Sequence, residues 1–252
     1  PPELQKIKNA KPGVGGLLNQ TLSLDLKKYK VTYTPNNEFY RIDEQGFLPE
    51  MMQQIYDNRV KFKGMMIETK KKLQKEKDTQ KRFQLSNLVS KYNNMQHNLK
   101  ITLNSAFGAM GNQHFRFFDQ RIAEAITTSG QLSIKWIEKE INRYLNSLLK
   151  TEEDKDFVVA VDTDSVYICM NDLVTQVYGE NIEDKNKVID FLDKVCSEQM
   201  EKIIDKSYEK LAKYMNAFEQ KMVMKRENLA DRALWTAKKR YIMNVYDSEG
   251  VR

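Results

Sequence analysis

Between Phe157 and Met170 the chain reads Phe-Val-Val-Ala-Val-Asp-Thr-Asp-Ser-Val-Tyr-Ile-Cys-Met. Two runs of β-branched and aromatic residues flank a short acidic break, which fits two buried strands joined by a tight turn. The pattern puts Asp162 and Asp164 at the mouth of an apolar hairpin, where a metal ion or a group of cations makes such charge tolerable. A simpler reading is an Asp-rich turn whose carboxylates bond their own backbone. Two carboxylates do not by themselves decide between the two.

The flanking segments alternate long helical patterns with short strand patterns. Residues 1–18 read as irregular chain, with Lys11-Pro12-Gly13-Val14-Gly15-Gly16 as a flexible loop. That loop lacks the Gly-Lys-Ser/Thr string and the strand-to-helix context of a P-loop. Short strands over 29–47 turn at Pro35-Asn36-Asn37 and again at Asp43-Glu44-Gln45-Gly46. Pro49-Glu50 opens a helix to about Glu76. A charge run from Lys70 to Lys81 marks a solvated bend. A second helix over Thr79–Phe107 carries Leu85, Leu88, Tyr92, Met95, Leu99, Leu103 and Ala106 as its buried stripe. With so short a link, the two helices form an antiparallel hairpin. Gly108 to Asn112 breaks the pattern before a third helix over Asp119–Leu149. A fourth covers about Asn186–Asn216, and Met222–Tyr246 reads as strands separated by Leu229-Ala230-Asp231-Arg232. Helices alternate with strand pairs and no βαβ run occurs. The fold class is therefore α+β, an antiparallel sheet flanked by long helices with a protruding two-helix hairpin.

Charge and composition narrow the function classes. The 252 residues, enough for one large or two modest domains, hold 41 Lys+Arg against 35 Asp+Glu, a net charge of +6. That excess suits a polyanionic partner. No apolar run approaches membrane length and no signal peptide opens the chain, so no membrane partner is expected. Ten Gly and five Pro argue against disorder and against a many-turned β-sandwich. Cys169 in an apolar strand and Cys196 in a helical pattern are expected to be reduced thiols in a cytosolic setting. A first residue of Pro1 rather than Met leads us to expect a fragment or a processed piece.

Cations recur at helical spacing. Arg59 and Lys63 stand four apart on one predicted helix; Lys100 and Asn104 do so on the next, with Phe107 three further on. Such a set could hold a triphosphate, the arginine bidentate and the lysines as point charges. Ordinary surface charge on amphipathic helices accounts for each of them singly.

Four strings, in order, resemble motifs of family B DNA polymerases. Lys100-Ile101-Thr102-Leu103-Asn104-Ser105-Ala106-Phe107-Gly108 is similar to the fingers motif Lys-x-x-x-Asn-Ser-x-Tyr-Gly. Val161-Asp162-Thr163-Asp164-Ser165 resembles the palm carboxylate motif, and Lys238-Lys239-Arg240-Tyr241 the Lys-Lys-Arg-Tyr primer-contact motif. Asn58-Arg59-Val60-Lys61-Phe62-Lys63-Gly64 is similar to the segment that supplies the other triphosphate cations. The helix from Phe118 to Gln131 resembles the T-even phage branch, and the likeness runs from about Tyr33 onward.

The resemblance implies residues 1–48 as an N-terminal part of the palm, 49–108 as a fingers hairpin and 109–252 as the rest of the palm. It implies nucleotidyl transfer from a dNTP to a primer 3′ end on primer–template DNA, in the cytoplasm of an infected bacterium. The cofactor is two Mg²⁺ ions, with Mn²⁺ as a substitute. They lower the pKa of the attacking hydroxyl and stabilise the leaving pyrophosphate. By similarity, Asp164 is the direct ligand and Asp162 the supporting acid; Arg59, Lys63 and Lys100 grip the triphosphate, and Asn104 lines the same pocket. Phe107 packs under the nascent pair, and Lys238, Lys239, Arg240 and Tyr241 form the primer contact, its phosphate contacts carrying no sequence information.

The sequence departs from the family in two ways. Phe107 stands where the family usually has Tyr. No Asp-x-x-Ser-Leu-Tyr-Pro-Ser string, the family's first catalytic segment, occurs, nor do exonuclease motifs or a thumb. The isolated chain is therefore expected to be inert, needing a companion polypeptide or further segments, through which a sliding clamp would also engage. The alternatives are a non-catalytic nucleic-acid-binding fragment and a polymerase of another family, such as a reverse transcriptase. His97 and His114 lack partners at zinc spacing. Glu227 is either an accessory acid or plain surface charge.

Overall fold

Apolar residues recurring three and four apart make α5, Gln120–Leu149, an amphipathic helix that buries Leu132, Trp136, Ile137, Ile141 and Leu145. In this computed structural model, which describes residues 1–21, 25–151, 154–179 and 184–251, α5 runs through the larger of two compact units. That unit comprises Pro1–Asp43 and Glu124–Tyr246; the other comprises Glu44–Ala123 and Asp247–Arg252. Helices and small antiparallel sheets together give an α+β fold, with the described strands pairing two by two in three separate sheets.

In the larger unit, β1 (Val31–Tyr33) and β2 (Phe39–Arg41) pair antiparallel around Thr32 and Tyr40. The strands β3 (Val158–Asp162) and β4 (Ser165–Ile168) pair from Val158 opposite Ile168 to Asp162 opposite Ser165, with an irregularity between Val158 and Ala160. Helix α6 (Asn171–Tyr178) follows. Then α7 (Lys185–Val195), a π-helical stretch (Cys196–Met200) and α8 (Glu201–Met215) run on without a break. Leu17, Leu26, Tyr33, Phe157, Ile204 and Tyr208 join the buried face of α5 in one core. Thr32 Oγ1 donates to the Met215 carbonyl and Asn216 Nδ2 to the Val31 carbonyl, both at 2.8 Å, fastening β1 to the end of α8.

The N-terminus corrects the sequence reading. Residues 1–18 are not irregular: Pro2–Ala10 forms α1, and Gly13–Leu18, across most of the expected glycine loop, forms α2. Pro2 sits where a helix spares the N–H it lacks. Burial does the rest, since Leu17 is fully buried and Leu4, Ile7, Val14 and Leu18 pack on the same core. Asn37 Nδ2 donates to the Lys8 carbonyl at 2.7 Å, and Lys8 pairs with Glu38 at 3.1 Å, tying α1 to the β1–β2 turn.

The smaller unit is built on α3 (Phe47–Lys75) and α4 (Thr79–Met110), packed along each other with only Glu76, Lys77 and Asp78 between them. Asp78 caps α4 by accepting from the Lys81 N–H at 2.8 Å. Arg82 donates to the carbonyls of Leu73 (3.2 Å) and Glu76 (2.9 Å), closing the C-terminal end of α3. The expected buried stripe of α4 is not buried. None of its residues is buried, and Leu88 and Met95 are exposed. A helix with one neighbour covers one narrow seam, whatever the width of its apolar stripe.

The third sheet moves a predicted break. Residues 229–232 lie inside β5 (Asn228–Ala237), and the chain turns at Lys238-Lys239 into β6 (Arg240–Ser248). Leu229-Ala230-Asp231-Arg232 continues the strand in spite of its acid, and Lys239 takes the left-handed conformation (φ 62) at the turn.

Candidate active site

The tip of the β3–β4 hairpin holds a strained backbone. Asp162 and Ser165 close the ladder, leaving Thr163 and Asp164 as the loop. The Asp164 N–H donates to the Asp162 carbonyl at 2.7 Å, across Thr163 at φ 54. A three-residue turn of this hand is rare, and a β-branched residue at positive φ is an outlier. Such strain persists where the surroundings over-determine it, commonly at functional sites. Thr163 Oγ1 donates to Asp162 Oδ1 at 3.0 Å, and Ser165 Oγ to the Asp162 carbonyl at 3.1 Å, so Asp162 is held. Asp164 is exposed.

Two tyrosines mark the surroundings of these acids. Burial, with the Asp164 charge adding to it, pushes the Tyr208 hydroxyl up to about 12. The Tyr241 hydroxyl is raised by its hydrogen bond to Tyr167, and further by the charges of Asp162 and Glu227. Asp162, Glu227 and Tyr241 thus share one neighbourhood. Tyr167, Trp235 and Tyr241 pack edge to face or tilted at 5.2–6.3 Å between centroids. The Trp235 Nε1 is buried and has no partner among the described residues.

Side chains that sequence reasoning missed hold this hairpin in place. Asn142 on α5 accepts from the N–H groups of Phe157 (2.9 Å) and Val158 (3.2 Å) and donates to Asp156 at 2.7 Å. Asn146, one turn on, donates to the Lys155 carbonyl and accepts from its N–H. The two carboxamides thus fix the backbone of the segment that enters β3. Polar residues on an amphipathic helix carry no sequence signal that separates this role from plain solvation.

Glu227, expected on a strand, lies just before β5. Its neighbour Arg226 is largely buried, donating through Nη2 to Asp193 and through its backbone N–H to Glu201 at 3.3 Å. The far end of the sheet is clasped too. Lys185 donates to Asp231 Oδ2 and to the Tyr246 hydroxyl, each at 3.0 Å, and these bonds raise its pKa.

The smaller unit carries Arg59, Lys63, Lys100, Asn104 and Phe107; the larger carries Asp162, Asp164 and Lys238–Tyr241. Arg59 and Lys63 lie four apart on α3, both half-buried, and Lys100, Asn104 and Phe107 are exposed on α4. The Arg59 Nε is buried without a partner among the described residues. Lys238 and Lys239 form the β5–β6 turn rather than part of a strand, and Arg240 and Tyr241 open β6.

The family model of DNA polymerase family B matches residues 8–251. The chain belongs to DNA polymerase family B. It is similar to the DNA-directed DNA polymerase of Escherichia phage RB69, 33% identical over 87% of this chain and 29% of that protein. It is 43% identical to the DNA-directed DNA polymerase of Enterobacteria phage T4 over 64% of this chain and 19% of that protein. A DNA polymerase of Orf virus (strain NZ2) is 26% identical over 40% of the chain. The chain spans under a third of the length of these relatives. Among the described residues no helix is long and apolar enough to cross a membrane.

Proposed function

We propose that this family B chain supplies acidic, triphosphate-binding and primer-contacting residues of a DNA-directed DNA polymerase. In this reading residues 1–48 and 109–252 are palm and 49–108 are fingers. The observation that carries it is the strained Asp162-Thr163-Asp164 tip beside Tyr241, in a chain matched to the family over 8–251.

Asp162 and Asp164 offer hard carboxylate oxygens, the donors Mg²⁺ takes, and Mg²⁺ is usually bound by one or two carboxylates beside water and substrate phosphates. Mn²⁺ accepts the same donors. Among the described residues no three His, Cys, Asp or Glu converge on a metal position. The pair therefore fits part of a two-ion site, and a further carboxylate comes from another segment. When bound, the ions activate the primer hydroxyl and stabilise the leaving pyrophosphate.

The protein's own groups have separate tasks. Asp164 offers its carboxylate outward while Asp162, held by Thr163, supports it. The Arg59 Nε would find its missing acceptor in a phosphate oxygen, and Lys63 and Lys100 add point charge. Asn104 lines the nucleotide site, and the Phe107 ring packs under the nascent base pair. Lys238, Lys239 and Arg240 contact primer phosphates, with Tyr241 as their buttress.

Alone, the chain is inert. Its partners are primer–template DNA, a dNTP, segments supplying the first catalytic aspartate, exonuclease and thumb, and a sliding clamp engaged through those segments. The setting is the cytoplasm of an infected bacterium. The test joins the chain to a polypeptide bearing Asp-x-x-Ser-Leu-Tyr-Pro-Ser and measures primer extension. Asp164→Asn should lower the rate roughly a thousandfold; extension at the unmutated rate would sink the reading. Extension by the isolated chain would remove the claim of inertness.

A further inference from the structure

The segment after β6 is a closed turn set against α3. Ser248 and Val251 exchange backbone hydrogen bonds in both directions, at 2.8 and 2.9 Å. Asp247 is buried, and its Oδ1 accepts from the Gly250 N–H at 2.8 Å. Glu249 stands at the tip with φ 54, and Gly250 follows with φ 79, a conformation natural to glycine. The Glu249 Oε1 lies 2.5 Å from the Lys63 Nζ, with the two side chains 26% and 33% exposed. A Cβ on Gly250 would meet the Lys71 Nζ at 2.7 Å, so Lys71 lies across the same turn. All these residues belong to one compact unit.

We propose that Glu249 gates Lys63 against the wrong phosphates. The inference rests on reading Lys63 as a triphosphate cation and adds the residue that decides which anion it takes. A lysine ammonium on a four-carbon stem pairs with any phosphate it reaches. Glu249, delivered by a pre-formed turn, competes as an intramolecular anion at high effective concentration. A single phosphodiester of DNA brings one charge and does not displace it. A nucleoside triphosphate brings several charges, which also engage Arg59, and does. Glu249 thus acts against the wrong partner rather than for the right one. It also holds the ammonium extended while no nucleotide is bound, which lowers the ordering cost of binding.

The test is equilibrium binding of dATP to the purified chain in EDTA, so that divalent ions take no part. Glu249→Gln should tighten binding about three- to tenfold, because a half-buried competing charge is gone. In a Lys63→Ala background the same change should bring no gain. Unchanged or weaker binding by Glu249→Gln, in a chain where Lys63→Ala weakens it, overturns the gate and leaves the nucleotide reading intact. A purely structural ion pair gives that result, since its loss does not improve affinity. Equal binding by unmutated chain and Lys63→Ala removes the nucleotide reading of Lys63, and the gate with it.

Discussion

Tyr241 and Tyr167 meet with ring centroids 5.6 Å apart and planes at 63°. One opens the strand after the Lys238-Lys239 turn, and the other sits on β4 two residues past the pair that closes the acidic loop. The β3–β4 and β5–β6 hairpins are thus registered to each other by aromatic edges. Tyr241→Ala removes both ring contacts and should destabilise the chain measurably, though less than loss of a fully buried ring. Tyr241→Phe keeps those contacts and loses only the hydroxyl, so it should cost less than Tyr241→Ala. Chemical denaturation of the purified chain measures both, and equal losses for the two variants would contradict the packing account.

Asn142 is the second anchor of the acidic loop. Asn142→Ala leaves the Phe157 N–H without its acceptor and the Val158 N–H with Asp156 alone, at a buried strand entry. An unsatisfied buried donor costs about 1–3 kcal/mol. Amide hydrogen exchange should show the loss first at Phe157 and Val158, and unchanged protection there would refute the role.

Phe107 lacks the hydroxyl of the family's usual Tyr. One hydrogen bond is worth about 1 kcal/mol, so Phe107→Tyr in a complemented polymerase should lower misinsertion about fivefold. Equal misinsertion by the two proteins would dismiss the hydroxyl as a fidelity element.

The two cysteines should separate by pH. Cys169 is exposed, whereas burial pushes the Cys196 thiol up to about 11 from 9.0. Below pH 9 the thiol is neutral in folded and unfolded chain alike, and the stability from its burial is fully present. Between 9 and 11 the unfolded chain gives up the proton first, so stability falls as pH rises. Iodoacetamide at pH 8 should label Cys169 alone, with Cys196 joining on denaturation or near pH 11. Rapid labelling of both at pH 8 would contradict the buried thiol.

Period and punctuation made much of the fold legible. The Val158–Ile168 hairpin alternates around two aspartates, and α3, α4 and α5 declare themselves over some thirty residues each. The failures have physical causes. Gly13-Val14-Gly15-Gly16 has poor helix propensity, and only packing of Val14 and Leu17 on the core makes it helical. The α4 stripe looked buried because a periodic pattern does not say how many neighbours a helix has. The Lys238-Lys239 turn was hidden because lysine is not a turn signal, whereas Asp231 is one and lies inside a strand. At the candidate site the strings Asp-Thr-Asp and Lys-Lys-Arg-Tyr were legible. The Asn142, Arg226 and Glu249 contacts were not, because each joins residues distant in sequence.

The π-helical stretch Cys196–Met200 sets the phase of the helix that contains it. Asp193 and Glu201, which both hold Arg226, are eight residues apart, and eight residues of plain α-helix would leave them about 80° out of line. One α turn and one wider turn of roughly 4.4 residues sum to about eight, so the two acids stack. Excising one residue here would let the wide turn close to an α turn, and seven residues of α-helix leave the two acids only about 20° out of line. Ser207, Tyr208, Leu211 and Met215 would then keep their side of the helix, shifted by one rise of about 1.5 Å. An added residue would instead turn them away by about 100°, so the stretch should bear the loss of one residue and refuse a gain.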